Sequence, residues 1–155
     1  MKKLFIELLC MLPLIFSSCS SDNNGDDPTK QNSFSVNGLA YPAHHMGYIG
    51  HSKGITLYFG NDTYGKASKY IEISINANKV EEGVFYYQNN NSKNIIHAAT
   101  YSSLENGELK QLSKLTGGDI TLIQFDNQFI ISYELKFDNT HIEGHHTGIF
   151  ALLSN

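Results

Sequence analysis

From Ser33 to the C-terminus, apolar residues return at every second position rather than at every third or fourth. Ile71, Ile73 and Ile75 alternate with Glu72, Ser74 and Asn76. Phe129, Ile131, Tyr133, Leu135 and Phe137 alternate with Ile130, Ser132, Glu134 and Lys136. Ile55, Leu57 and Phe59 fall on one face, and Ile120 and Leu122 oppose Thr121, Ile123 and Phe125. A period of two marks β-strands with one buried and one wetter face. Antiparallel sheets show it, whereas parallel α/β sheets give continuous apolar runs.

Turn residues separate the runs. Asn37-Gly38 stands between Phe34-Ser35-Val36 and Leu39-Ala40-Tyr41, the signature of a tight hairpin. Asp126-Asn127 and Asp138-Asn139 flank the long run 128–137, and 60–62 and 88–94 read as loops. About nine strands result: 33–37, 39–44, 54–60, 69–76, 83–88, 95–101, 119–125, 128–137 and 141–153. Residues 103–116, with Leu104, Leu109, Leu112 and Leu115, read either as a short helix or as an excursion over a sheet edge. Many short strands and short loops predict an all-β domain. The expected form is an antiparallel β-sandwich, with a lipocalin-like closed β-barrel as the alternative. The Gly-x-Trp signature of lipocalins is absent, because the chain has no tryptophan.

The first nineteen residues follow different rules. Lys2 and Lys3 precede an apolar run, Leu4 to Phe16, broken only by Glu7 and Pro13. That run is too short to span a bilayer as a helix and reads as a secretory signal. It ends in Phe16-Ser17-Ser18-Cys19, which resembles a lipobox, where signal peptidase cuts before a cysteine that becomes acylated. A polar tract follows, Ser20-Ser21-Asp22-Asn23-Asn24-Gly25-Asp26-Asp27-Pro28, which has nothing to bury and reads as a tether. Lipobox and acidic tether together resemble the small cell-envelope lipoproteins of Bacteroidetes. The resemblance implies a lipid-anchored place on the outer membrane, facing the periplasm or the cell surface, and implies no activity. The expected organisation is a signal peptide over 1–18, a tether over 19–32 and one β domain over 33–155.

Processing there would discard Cys10 and commit Cys19 to lipid, leaving no thiol for disulfides or cysteine chemistry. It would also remove Lys2, Lys3 and Glu7, leaving nine basic and fourteen acidic residues, a net charge near −5. The chain has no arginine, and its lysines form no stripe. Phosphate and guanine recognition rely on the guanidinium fork, so nucleic-acid binding is not expected.

Seven histidines invite a metal reading, with His141, His145 and His146 as the candidate ligands. Strand geometry opposes it. Adjacent residues point to opposite faces, and positions four apart lie roughly 13 Å from each other along a strand. His44-His45, His51 and His97 are read as polar strand-face residues. Gly50-His51-Ser52-Lys53-Gly54 matches Gly-x-Ser-x-Gly, but a strand pattern follows it where a nucleophile elbow needs a helix. A hairpin turn accounts for it. His141-Ile142-Glu143 lacks the Pro-Cys-x-x-Cys half of a deaminase site, and Glu81-Glu82 reads as a solvated turn. No catalytic constellation or cofactor motif emerges, and a non-enzymatic role is expected.

Aromatic residues give the remaining lead. Tyr86 and Tyr87 follow Phe85, so one of them faces outward, next to the amide-rich run from Gln88 that includes Asn90. Tyrosine faces and amides suit a sugar or another small ligand. The functional expectation is therefore a lipid-anchored binding or interaction module, for a glycan, another small ligand or an envelope protein. The alternatives are a histidine-based metal-binding protein and a subunit of a larger envelope complex.

Overall fold

The computed structural model describes residues 32–88 and 93–153. The signal peptide, Cys19, Asn90 and all of the tether except Asn32 lie outside the described residues. The described chain is all-β, as the alternation predicts. It builds twelve strands in one sheet rather than about nine in two.

The sheet grows from hairpins. β1 (Ser33–Val36) turns into β2 (Leu39–Pro42) through Asn37-Gly38, both at left-handed φ of 49° and 82°. β3 (His45–His51) turns into β4 (Gly54–Gly60), so the Gly-x-Ser-x-Gly match spans a strand-to-strand hairpin. β5 (Lys69–Ile75) pairs with β4, and β6 (Gly83–Tyr87) leads on to β7 (Ile95–Glu105). β8 (Glu108–Leu112) returns along β7, and β9 (Gly117–Phe125), β10 (Gln128–Phe137) and β11 (Thr140–Gly148) form an antiparallel meander. β12 (Ala151–Leu152) closes the series. The spatial order is β12-β3-β4-β5-β7-β6-β9-β10-β11-β1-β2, with β8 beside β7 off this path.

Three differences from the sequence reading have physical causes. The stretch 103–116 is neither helix nor excursion. It is the end of β7 and the edge strand β8, joined by Asn106-Gly107 at φ 53° and 83°. That pair carries the same tight-turn signal as Asn37-Gly38, but the three-residue spacing of Leu109 and Leu112 imitates a helix. β3 escapes notice because Gly47 and Gly50 interrupt its alternation. The segment 141–153 breaks after Gly148, where Phe150 turns into the core before the chain pairs with β3. Two of the pairings, β12 with β3 and β6 with β7, are parallel, so the sheet is mixed.

The single sheet curls into a half-barrel and faces itself. The β4 ring of Phe59 lies 5.2 Å from Tyr133 of β10 and stacks at 4.4 Å on His146 of β11. Phe34 of β1 meets Tyr101 of β7 edge-on at 6.2 Å. The core between these walls is aliphatic: Leu57, Ile71, Ile73, Ile120, Leu122, Ile131, Leu135 and Ile142 are buried. Each such side chain contributes roughly 1.5–3 kcal/mol by leaving water. The path of pairings stays open at β2 and β12, so among the described residues no ladder closes it as a lipocalin-like barrel would require.

One glycine is sterically required in this wall. Gly144 is opposite Tyr133, and a Cβ there would lie 2.1 Å from Tyr133 Cζ and 2.4 Å from its hydroxyl. A Cβ on Gly50 would meet nothing within 4 Å. Gly144→Ala is expected to displace the buried tyrosine and cost about 2–4 kcal/mol. Gly50→Ala should stay within about 0.5 kcal/mol of the parent. Urea unfolding of the two variants checks the contrast.

Candidate functional site

The cross-strand registers of β9, β10, β11, β1 and β2 place residues in rows across the outer face of this half of the sheet, the side turned away from the core. One row runs Thr121, Ser132, His145, Ser33 and Pro42. The next runs Asp119, Glu134, Glu143, Ser35 and Ala40. Alternation sends Ile120, Tyr133, Gly144 and Phe34 of the intervening row inward. Seven polar residues of the two outer rows, together with Ala40, border a groove of about 490 Å³. Tyr133, Gly144 and Phe34 line it as well, from beneath.

The groove is rich in acceptors. Asp119, Glu134 and Glu143 supply carboxylates, and Ser33, Ser35 and Ser132 supply hydroxyls that can donate or accept. His145 is its one imidazole. At the acidic end Lys136 Nζ lies 3.0 Å from Glu134 Oε1, and His141 Nε2 lies 3.1 Å from the same oxygen. His141 Nδ1 is 3.7 Å from Glu143 Oε1. The hydrogen bond and charge of Lys136, and then contact with His141, hold the Glu134 carboxyl below the usual carboxylate range. These pairs are solvent-exposed, so they orient the side chains more than they stabilise the fold. The surface presents fixed negative charge and hydroxyls within one depression, a setting for ligands rich in O–H and N–H donors.

The predicted metal ligands separate. His146 points into the core, with Nε2 3.1 Å from the Tyr133 hydroxyl and its ring stacked on Phe59. His141 and His145 are on the outer face, with Glu143 between them along the strand. The three imidazoles therefore do not converge. Among the described residues no three His, Cys, Asp or Glu side chains come together to hold a metal ion. His44, His45, His51 and His97 are exposed, and His51 Nδ1 accepts the Lys53 backbone N–H in the β3–β4 turn.

The Tyr86–Asn90 segment is only partly on view. Tyr86 is 41% exposed, whereas Tyr87 packs against the core and its hydroxyl accepts from Gln88 Nε2 at 2.9 Å. One outward ring thus remains, next to a Gln88 held at φ 54°. Elsewhere on the sheet Tyr58, Tyr64 and Tyr70 engage each other. Tyr58 meets Tyr64 edge-on at 5.3 Å and Tyr70 at 5.6 Å, and donates its hydroxyl to the Asp62 carbonyl at 2.9 Å. Burial, followed by the charges around it, pushes the Tyr58 phenol far up.

The outer-face groove is not among the sites that the sequence alone points to. Its signal is the polar half of the alternation itself: Ser132 and Glu134 on one strand, Glu143 and His145 on the next, Ser33 and Ser35 on a third. Only the long-range pairing of β1 with β11 brings the third set beside the other two.

No protein-family model matches the chain, and neither a curated protein nor a solved structure matches it.

His146 makes the domain sensitive to acid. Burial, with a smaller push from His145, lowers its pKa to about 3. An unfolded histidine takes up its proton near pH 6.5. The unfolded state therefore binds more protons than the folded state between these values, and stability rises with pH there. It is complete above about pH 6.5 and is lost on acidification, by up to about 1.4 kcal/mol per pH unit. In the window from pH 6.5 to about 4.5 the Glu72 carboxyl, its pKa raised by burial, contributes as well, with a slope of opposite sign. Chemical denaturation across that window should show stability rising with pH more steeply in the parent than in His146→Phe, and the difference between the two profiles is the His146 contribution.

Proposed function

We propose that this protein is an outer-membrane lipoprotein, anchored through an acylated Cys19, whose β domain is a non-enzymatic binding module. We place its ligand site in the outer-face groove and infer a polyhydroxylated ligand of the glycan class, neutral or amine-bearing. The observation carrying this reading is the groove of about 490 Å³ whose lining sets a row of carboxylates beside serine hydroxyls. Sugar hydroxyls are donors and acceptors in alternation, and carboxylate acceptors pair with them or with a protonated amine. The volume lies within the range of small-ligand sites. Tyr86, exposed near Gln88, remains the alternative contact for a sugar face. We also read the curled sheet as sandwich-like, supported by the packing of Phe59 against Tyr133 and His146 across the core.

Titration of neutral and amine-bearing oligosaccharides against the protein tests the groove. A ligand is expected whose affinity falls about tenfold, roughly 1.4 kcal/mol, in a Glu134→Gln, Glu143→Gln double variant and stays unchanged in Tyr86→Ala. Equal binding by the parent and the double variant would remove the groove from the site. Separately, Cys19→Ala should abolish palmitate labelling and membrane partitioning. Retention of label by that variant would refute the anchor.

A further inference from the structure

The polar rows of the outer face give way to apolar ones at one end of the sheet. Beyond the Thr121–Ser132–His145–Ser33 row, the next row is Ile123, Ile130 and Thr147. Beyond that, Phe125 faces Gln128 at the β9–β10 turn. Ile123 is 52% exposed and Phe125 65%, and Ile149, one residue past the end of β11 at the same edge, is 66% exposed. On the β6 side this end is bordered by charge: Gly83 is opposite Leu122, so Glu82 follows beside Ile123, and the other polar neighbours are Gln124, Asp126, Asn127 and Gln128.

The described chain begins at this same end. Asn32 is tied to the backbone of Thr147 by two hydrogen bonds, Nδ2 to the carbonyl at 3.0 Å and the Thr147 N–H to Oδ1 at 2.7 Å. Thr147 is directly opposite Ile130, which is directly opposite Ile123. Three strand spacings, roughly 14 Å, separate the chain's point of emergence from the exposed isoleucine. The remaining N-terminal residues, 19–31 after the cut at Cys19, start from that point.

From this juxtaposition we propose that the apolar end formed by Ile123, Phe125, Ile130 and Ile149 seats the domain on the lipid surface that holds its anchor. The inference rests on the lipoprotein reading. A tether of about a dozen residues keeps the domain at an effective concentration on the order of millimolar at the bilayer, so a weak patch is sufficient. Exposed Phe and Ile side chains suit the headgroup–acyl boundary. In this seating the groove lies one to two residue rows, roughly 7–14 Å, above the contact and opens along the membrane surface.

The test uses the full chain, acylated in cells, purified with its palmitate and reconstituted into phosphatidylcholine vesicles. An environment-sensitive fluorophore is placed at Phe125→Cys or at Leu39→Cys. Leu39 is equally exposed, at 66%, and is at the opposite end of the sheet. Circular dichroism confirms that each variant folds as the parent does. On reconstitution the label at 125 should shift to the blue and be quenched by a lipid-borne quencher, while the label at 39 stays in water. Two water-like labels on a palmitate-bearing protein would overturn the seating and leave the anchor standing. A label at 125 already shielded without vesicles, in a concentration-dependent way, would assign the patch to a second copy of the chain and overturn it too. Loss of palmitate from the parent would remove the anchor and this inference together.

Discussion

The contact of Phe59 with His146 and Tyr133 holds the two walls of the curled sheet together. It joins β4 to β10 and β11, strands that lie far apart along the hydrogen-bonded path. A buried imidazole costs free energy unless it stays neutral and finds a partner. The Tyr133 hydroxyl is that partner, and Gly144 leaves the space in which the tyrosine lies. The groove rests on the reverse side of the same residues, since Tyr133 and Gly144 line it from beneath. Core and candidate site are thus two faces of one piece of backbone, and a change to either is felt by the other.

The fold class was legible because alternation is local. Ile71, Ile73 and Ile75, or Ile131 through Phe137, reveal their strands without knowledge of any partner. The parts that were not legible depend on pairing. That β6 lies parallel to β7, or that β12 reaches β3, follows from where the chain travels between strands, and no short window of residues records this. β8 shows a competition of signals, in which leucine spacing suggested a helix while Asn106-Gly107 already encoded the turn of a hairpin.

The candidate site divides in the same way. That adjacent histidines cannot share one ion follows from strand geometry, and His145 and His146 do point to opposite sides. Which of them is inside was hidden. Histidine carries no clear preference for the core, and its place there depends on Phe59 and Tyr133 arriving from other strands. Ser33 and Ser35 look like ordinary polar strand residues until β11 brings Glu143 and His145 alongside them.

The pairing of β1 with β11 joins residues more than a hundred positions apart, and Asn32 clasps Thr147 across the same separation. Contacts so distant in sequence carry a large loop-closure cost, which slows folding. A chain made N-terminus first presents β1 long before its partner exists, with only the β2 hairpin for company. The meander of β9, β10 and β11 can assemble locally and then capture the waiting hairpin. The β1–β2 hairpin is therefore fixed to the domain only when nearly the whole polypeptide has been made, and a product truncated before β11 would leave that hairpin without its partner strand.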